Sequence, residues 1–166
     1  MHTVVVTREM NFPANTVWNL LDDFAGTWVY HPVVRHSEAV NGVKRGLGAA
    51  RRCDLYDGTS VQEKITRYNP QEMRYHVEVF DHGPFPTTHM DVTIEVVQTA
   101  PQKSLVRYTC RFKVKYGPMG WLMGKAAMGP KMRQMLGKVL EGVETHLDTG
   151  RVVGQGGTVE PSRAAA

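Results

Sequence analysis

The chain has 166 residues, of which 42% are hydrophobic and 22% charged, and its formal net charge is +4. This length suits one domain with a substantial core, and two cysteines without a metal-binding spacing exclude a disulfide scaffold and a zinc module. The chain contains no apolar run of about 18 residues, and its N-terminus lacks the pattern of a signal peptide. The sequence therefore predicts a single-domain cytoplasmic protein without a transmembrane segment.

The first thirty residues predict a strand followed by a short helix. Alternating apolar and polar residues from Val4 to Met10 are typical of a half-buried strand. After a break at residues 12–15, apolar residues recur at the spacing of an amphipathic helix: Val17, Leu20, Leu21 and Phe24. Gly26 ends this helix, and Pro32 prevents a longer one because the residue before a proline avoids the helical conformation.

The middle of the chain, from residue 33 to residue 116, predicts six strands joined by turns. The predicted strands are 33–40, 47–55, 59–68, 72–81, 88–98 and 104–116. The last two alternate most clearly, and Tyr116 falls on the apolar face of the final strand. One apolar face and one polar face indicate an antiparallel sheet that is covered on a single side.

The C-terminal part of the chain predicts a helix that covers the apolar face of this sheet. Seven apolar residues between Met132 and Leu147 recur at helical spacing, and Pro130 either starts or kinks the helix. Residues 149–166 contain four glycines and no apolar periodicity, which predicts a disordered tail after a domain of residues 1–148. The predicted fold is α+β, a helix-grip fold in which a curved antiparallel sheet of seven strands wraps around a long C-terminal helix.

The order of short motifs along the chain resembles the polyketide cyclase/dehydrase branch of the START-like, Bet v 1-like superfamily (SRPBCC). The resemblance covers about residues 3–147, and its pieces are Val17-Trp18, Asp23-Phe24, Trp28, His31-Pro32, Gly46 to Arg51, Asp57-Gly58, Val61 to Glu63, Tyr75 and Pro86. It implies the helix-grip fold. Members of this superfamily bind lipids, hormones or polyketides, activate chaperones, or catalyse cyclisation, so the resemblance does not choose among these functions. Many relatives carry Trp in the last strand where this chain has Tyr108.

The hairpin around Asp57-Gly58 places a charged pair on the inner face of the sheet. A two-residue loop would mix polar and apolar residues on each face, whereas a three-residue loop from Tyr56 to Gly58 collects the apolar residues on one face. We predict this second register, which sets Arg51 opposite Glu63 on the concave side. Arg51 would then bind a ligand carboxylate or carbonyl, with Glu63 orienting it. The alternative is a purely structural ion pair.

Methionines are concentrated before and within the C-terminal helix. Five of the nine lie within 17 residues: Met119, Met123, Met128, Met132 and Met135. Flexible thioethers suit a surface that must fit apolar ligands of varied shape. The same residues would also serve as ordinary packing of a helix on a sheet. With Lys125, Lys131 and Arg133 interleaved, a third interpretation is a helix that lies at a membrane interface.

The remaining polar residues carry weaker signals. His82 and His89 flank a loop near the expected pocket mouth and could serve an acid–base or metal role, although loop histidines are usually solvated. Cys53 and Cys110 point inward, and the strand order of the resembled fold separates them too far for a disulfide. The basic residues of the last strand have no exposed aromatic residues between them, so we expect no nucleic-acid binding.

These observations predict a protein that binds a small hydrophobic molecule, lipid-like, aromatic or polyketide-like, between the sheet and the C-terminal helix. The predicted ligand-binding residues are Arg51, Glu63, Tyr75, Tyr108, Phe112, Trp28, Phe85, Met119, Met123, Met128 and Met132. The alternative is an aromatase/cyclase or dehydratase-type enzyme in which Arg51, Tyr75 or Tyr108 polarises a carbonyl. A third is an interaction protein such as a chaperone co-factor. No metal or cofactor is predicted, and the oligomeric state, a homodimer included, stays open.

Overall fold

A computed structural model describes residues 1–159 of the chain. Its seven strands are β1 (His2–Met10), β2 (Val34–Ala39), β3 (Ala50–Leu55), β4 (Ser60–Asn69), β5 (Arg74–Asp81), β6 (Thr87–Ala100) and β7 (Lys103–Val114). Its α-helices are α1 (Ala14–Asp22), α2 (Gly117–Met123) and α3 (Gly129–Thr149). Short 3-10 helices span Phe24–Val29 and Gln155–Gly157, and a π turn spans Gly124–Met128.

The seven strands form one antiparallel sheet in the order β1-β7-β6-β5-β4-β3-β2, so the first strand pairs with the last. The predicted helix-grip architecture is confirmed, and each predicted strand overlaps an observed one. The prediction for Tyr116 is wrong: β7 ends at Val114, and Tyr116 adopts a left-handed backbone (φ 76°) with 70% of its surface exposed. This residue turns the chain from β7 into α2 instead of facing the core.

The hairpin between β3 and β4 has the predicted register. Arg51 pairs with Glu63 and Cys53 pairs with Val61, while the amide of Leu55 donates a hydrogen bond to the Thr59 carbonyl at 2.8 Å. Gly58 takes the left-handed conformation (φ 86°) that a three-residue loop requires. Because side chains alternate along a strand, this register directs both Arg51 and Glu63 to the concave side.

The C-terminal helical segment runs without a break from α2 through the π turn into α3. Pro130 lies directly after the π turn, in the first turn of α3, where the change of hydrogen-bonding pattern accommodates its missing N–H within the continuous helical segment. The buried face of α3 covers the concave side of the sheet with Met132, Leu136, Val139, Leu140 and Val143. No helix among residues 1–159 is long and apolar enough to cross a bilayer.

A glycine allows α3 to approach the chain segment that follows α1. A β-carbon built on Gly142 would lie 2.0 Å from the carbonyl oxygen of Tyr30, much closer than any side chain tolerates. The helix backbone therefore lies directly against the backbone of Tyr30. This contact holds the Tyr30 side chain, which is 2% exposed, between the helix and the sheet.

The segment after α3 differs from the disordered tail that the sequence predicts, as far as Val159. Val153 is buried, and its amide donates a hydrogen bond to the carbonyl of Val29 at 2.9 Å. The amide of Gly156 binds the carbonyl of Pro32 at the same distance. The rest of the predicted tail, residues 160–166, lies outside the described residues. The segment up to Val159 thus buttresses the loop that carries Tyr30 and His31.

Candidate functional site

A cavity of about 90 Å³ lies between the concave side of the sheet and α3. Its apolar wall is formed by Val33, Val34, Leu55, Val61, Val77, Val79, Phe85, Met90, Val92, Ile94, Met132, Met135 and Leu136, with the thiols of Cys53 and Cys110. Its polar lining is formed by Thr27, Tyr30, His31, Arg51, Glu63, Tyr75 and Tyr108. An apolar enclosure with a few polar groups is the usual composition of a small-molecule site.

Arg51 and Glu63 form the charged part of this cluster. The Glu63 Oε2 atom accepts hydrogen bonds from Arg51 Nε at 2.7 Å and Nη2 at 2.5 Å, and the two side chains are only 11% and 16% exposed. Arg51 Nη1 donates to the carbonyl of Phe24 at 2.6 Å, and the guanidinium carbon lies 3.9 Å from the centre of the Phe24 ring. The guanidinium group is therefore held rigidly at the cavity by three different groups.

Burial and charge determine the protonation states around this pair. Burial by itself would lower the pKa of Arg51, but the nearby Glu63 carboxylate outweighs this effect and the pKa is raised. Burial raises the pKa of Tyr30 and raises the pKa values of Tyr75 and Tyr108 well above the usual value of a phenol. The three hydroxyl groups therefore stay protonated at neutral pH, and they can act as hydrogen-bond donors beside a permanent cation.

The hydroxyl of Tyr75 already has a partner: it donates to the carbonyl of Leu21 at 3.0 Å. Tyr75 and Arg51 together donate hydrogen bonds to backbone carbonyls at and just beyond the end of α1. These bonds give the two buried side chains a structural role that needs no ligand. Tyr30 and Tyr108 lie close enough for each to influence the pKa of the other. Because Tyr75 is paired with Leu21 and Tyr108 interacts with Tyr30, the unused N–H groups of Arg51 are the donors best suited to a ligand, with the Tyr30–Tyr108 pair beside them.

His31 adds a neutral imidazole to the cavity wall. Its Nδ1 atom accepts a long hydrogen bond from the amide of Val33 at 3.4 Å, which leaves the ring proton on Nε2. Burial, reinforced by the charge of Arg51, lowers the pKa of His31 to about 3. The ring is therefore uncharged at neutral pH and lines the cavity as a neutral polar group with its proton on Nε2.

This shift predicts a pH dependence of stability. Because the pKa is about 6.5 in the unfolded chain and about 3 in the folded one, the unfolded chain binds more protons between these values, and stability falls as the pH drops through this window. At pH 5 the shifted pKa of His31 lowers the free energy of unfolding by about 2 kcal/mol relative to neutral pH. Urea unfolding at pH 7.5 and pH 5 should therefore show a loss that is about 2 kcal/mol smaller in His31→Asn than in the wild type.

The comparison of two proteins at two pH values also controls for other groups. Burial lowers the pKa of His76 and of His82 as well, and both contribute equally to wild type and variant. An equal loss of stability in both proteins would show that His31 is protonated near pH 6.5 in the folded state.

Comparison with known families identifies the protein class. The family described as "Polyketide cyclase / dehydrase and lipid transport" matches residues 1–148, which include every strand and nearly all of α3. The chain belongs to this family. The match confirms the resemblance that the sequence motifs indicate, and it covers all the residues that line the cavity.

Several solved structures share the fold of this polyketide cyclase/dehydrase family member. XoxI from Bacillus cereus aligns over 90% of this chain and 97% of its own, with 20% identity and a TM-score of 0.76. Zhui aromatase/cyclase from Streptomyces sp. R1128 aligns over 89% and 93%, with 17% identity and a TM-score of 0.64. Norcoclaurine synthase from Thalictrum flavum aligns over 89% and 87%, with 14% identity and a TM-score of 0.66. At these identities the likeness shows the fold alone. No curated protein sequence matches the chain.

The structure brings together six of the eleven residues predicted to bind a ligand: Arg51, Glu63, Tyr75, Tyr108, Phe85 and Met132. Met123 and Met128 line a separate groove on the outside of the cavity. Met119 lies outside both, because α2 projects from the sheet and leaves this side chain 71% exposed.

Trp28 and Phe112 also lie outside the cavity wall. Trp28 packs against the satellite cluster formed by Val34, Cys53, Leu55 and Val61, and its ring lies 6.2 Å from the ring of His36. Phe112 points inward as predicted but is completely buried in the core, where it stacks on His2 at 5.3 Å. An inward-facing strand position reaches the cavity only where the opposite layer leaves space.

Thr27, Tyr30 and His31 line the cavity although the sequence pattern does not predict them there. His31 is part of the His31-Pro32 motif of the family resemblance, and this was the one available signal. The three residues lie in and just after the 3-10 helix Phe24–Val29, which has no periodicity that would show an inward face. Their placement depends on the approach of α3 and of the segment after it, which are more than 100 residues away in the chain.

His82 and His89 do not join the site, and the two cysteines line it only as unreactive thiols. His89 Nε2 lies 2.7 Å from the buried carboxylate of Asp91 on the outer face of the sheet, and His82 lies 2.8 Å from the hydroxyl of Thr87. Cys53 and Cys110 are unpaired thiols, and burial raises the pKa of each to about 12. Within residues 1–159, no three His, Cys, Asp or Glu side chains converge in a way that could hold a metal ion.

A second hollow, which we call the outer groove, adjoins the cavity. It has a volume of about 430 Å³ and is lined by Val33, Phe85, Pro86, Val114, Met123, Ala127, Met128, Lys131, Met132 and Met135. Val33, Phe85, Met132 and Met135 line both hollows and separate them. Unbranched methionine side chains change rotamer easily, so this dividing wall is the part of the cavity that is easiest to open.

Proposed function

We propose that the protein binds a small, mainly apolar molecule carrying a carboxylate or carbonyl group. The apolar part would lie against the wall of the cavity, and the polar group would meet Arg51, Tyr30 and Tyr108. The observation that carries the proposal is the buried Arg51–Glu63 pair beside an apolar cavity. A buried charge is costly unless it is compensated, and here the compensated cation still has N–H groups available to a ligand.

The size of the hollows limits how such a ligand fits. Pockets for drug-sized ligands measure about 300–1,000 Å³, whereas the cavity measures about 90 Å³. Displacement of Met132, Met135 and Phe85 would join the cavity to the outer groove of about 430 Å³. We therefore expect the polar end of a ligand in the cavity, while its apolar end extends past the dividing wall into the groove.

Binding can be tested with 2-naphthoate, an aromatic carboxylate, by isothermal titration calorimetry. Val92 lies on β6 and lines the cavity, so the larger side chain of Val92→Trp fills the space. This substitution should weaken the binding of 2-naphthoate at least tenfold. The matched control is Val97→Trp, on the same strand but half-exposed, which should bind like the wild type. Native mass spectrometry of freshly purified wild-type protein should also detect an apolar ligand that Val92→Trp lacks.

The folded state of the variants is checked by their urea unfolding curves. If Val92→Trp does not fold, Val92→Phe provides a smaller filling group in the same position. Equal affinity of the wild type and a folded cavity-filling variant for 2-naphthoate would contradict the proposal, as would absence of binding by the wild type.

A second candidate function is catalysis in the same cavity. Arg51 and protonated tyrosine hydroxyls are suited to polarise a ligand carbonyl, and the Nε2–H group of the neutral His31 imidazole is suited to donate a further hydrogen bond. Zhui aromatase/cyclase has the same fold, at 17% identity. An aromatase/cyclase-type reaction on a polyketone would use these groups in an enclosed site that shapes a flexible substrate.

The Tyr108→Phe substitution distinguishes binding from catalysis. It removes one hydroxyl from the cavity and keeps the ring that fills the core. For an enzyme, we expect kcat for cyclisation of a polyketone surrogate to fall by a factor of about 100 or more, with 2-naphthoate affinity changed by only a few-fold. No turnover by the wild-type protein, with binding intact, would leave ligand binding as the function.

A further inference from the structure

An exposed apolar patch projects from the molecule where β7 turns into α2. Five of the thirteen large apolar side chains that are exposed in residues 1–159 lie within eight consecutive positions: Tyr116, Met119, Trp121, Leu122 and Met123. Their exposed fractions lie between 47% and 71%. We call these five side chains the apolar tip. A cluster of this kind on a protein surface commonly marks an interaction site.

The chain segment that contains the apolar tip carries only basic charges. The sequence has no Asp or Glu between Glu95 and Glu141, a stretch that carries nine Lys and Arg residues, although the whole chain has a net charge of only +4. Lys115, Lys125 and Lys131 are exposed near the tip, and no carboxylate among residues 1–159 lies within ion-pair distance of them. The Lys125 ammonium lies 5.6 Å from the centre of the Trp121 ring. The tip therefore combines apolar side chains with uncompensated positive charge.

We propose that the apolar tip docks on the surface of a lipid bilayer that contains anionic headgroups. Leucine and methionine side chains would enter the acyl region, Trp121 and Tyr116 would lie at the headgroup level, and the lysines would meet lipid phosphates. The protein lies on the bilayer and does not cross it.

The chemistry of the tip disfavours other occupants. In a symmetric dimer the same patch meets itself, so the basic residues of both copies would face each other without an acidic partner. A single-stranded nucleic acid needs a row of aromatic side chains for stacking, whereas three of the five tip residues are aliphatic or thioether side chains. A bilayer satisfies both the apolar and the basic components.

The docked orientation presents the outer groove to the membrane. Met123 belongs both to the tip and to the groove, and Lys131 forms part of the groove wall. Docking would thus bring the dividing wall of Phe85, Met132 and Met135 close to the headgroups. An apolar ligand could then pass between the bilayer and the cavity without crossing water. This route depends on the proposed ligand binding, but the docking itself does not.

The test is co-sedimentation with sucrose-loaded vesicles of phosphatidylcholine alone or with 30% phosphatidylglycerol. We expect binding to the anionic vesicles, weaker binding at high salt, and a blue shift of Trp121 fluorescence. Lys115→Gln/Lys125→Gln should weaken binding about 30-fold, at about fivefold per lysine. Trp121→Ser/Leu122→Ser should weaken it more than tenfold.

Matched variants elsewhere on the surface control for nonspecific effects. Leu47 and Phe80 are 67% and 55% exposed, so Leu47→Ser/Phe80→Ser removes as much exposed apolar surface away from the tip. Lys44→Gln/Lys64→Gln removes two exposed lysines. Both should bind vesicles like the wild type.

Three results would overturn the docking proposal: no binding to anionic vesicles, equal losses in tip and control variants, or self-association that disappears in the tip variants without vesicle binding. Val92→Trp should bind vesicles normally, since it changes only the cavity. Failure of docking and failure of ligand binding are therefore separate outcomes.

Discussion

Replacement of Arg51 by methionine should lower the free energy of unfolding by about 3–5 kcal/mol. The substitution leaves the Glu63 carboxylate buried without its cation and the Phe24 carbonyl without its donor, and both are paired in the wild type at 2.5–2.7 Å. Methionine has a similar length and apolar character, so lost packing contributes little. Urea denaturation followed by circular dichroism at pH 7.5 measures the effect.

A second substitution separates the structural role of Arg51 from a role in ligand binding. In Arg51→Met/Glu63→Leu the unpaired carboxylate is also gone, and apolar replacement of a buried ion pair restores most of the stability. If Arg51 is a ligand anchor, this stable double variant should lose the preference of the wild type for 2-naphthoate over uncharged 2-methylnaphthalene. A preference that survives in the double variant would assign Arg51 a purely structural role.

Substitution of Gly142 by alanine should destabilise the protein by about 3 kcal/mol, at the upper end of the usual cost of overpacking. The new methyl group would meet the Tyr30 carbonyl oxygen at 2.0 Å, and neither backbone can move away without disturbing its element. Because Tyr30 lines the cavity, we also expect weaker binding of 2-naphthoate. Thermal and urea unfolding measure the first effect, and calorimetry measures the second.

Gly137 provides the matched control in the same helix. A β-carbon at Gly137 meets no atom within 4 Å, and alanine favours a helix over glycine by about 0.5–1 kcal/mol. Gly137→Ala should therefore stabilise the protein slightly. Similar stabilities of the two variants would mean that α3 does not lie as close to Tyr30 as the structure has it.

The fold was predictable because its elements have clear local periodicities. Alternation in β6 and β7 identified the buried face of the sheet, and the helical spacing in α3 identified its cover. The pair Arg51–Glu63 followed from the same reasoning, since only one register of the β3–β4 hairpin gathers the apolar residues on one side. Strand parity thus decides which side chains face inward, and this information is local.

The composition of the site depended on contacts between distant parts of the chain. Tyr30 and His31 lie in a segment without periodicity, and they reach the cavity because Gly142 lets α3 approach and Val153 and Gly156 hold the loop from behind. Phe112 points inward, as strand parity predicts, but it does not line the cavity because neighbouring side chains fill the space around it. Parity determines the direction of a side chain, whereas packing of the opposite layer determines whether it meets empty space.

The methionine-rich segment also combines properties that the sequence predicts with a placement that only the tertiary structure decides. Its sequence fitted a pocket wall or core packing, with a membrane interface as a third interpretation, because all three use flexible apolar side chains at helical spacing. The left-handed turn at Tyr116 directs α2 away from the sheet, so Met119 is exposed, while Met132 faces the cavity. Residue types and their order were sufficient for the architecture and the charged pair. The division of the methionines between cavity, groove and surface required the tertiary structure, because it depends on the direction in which one turn sends the chain.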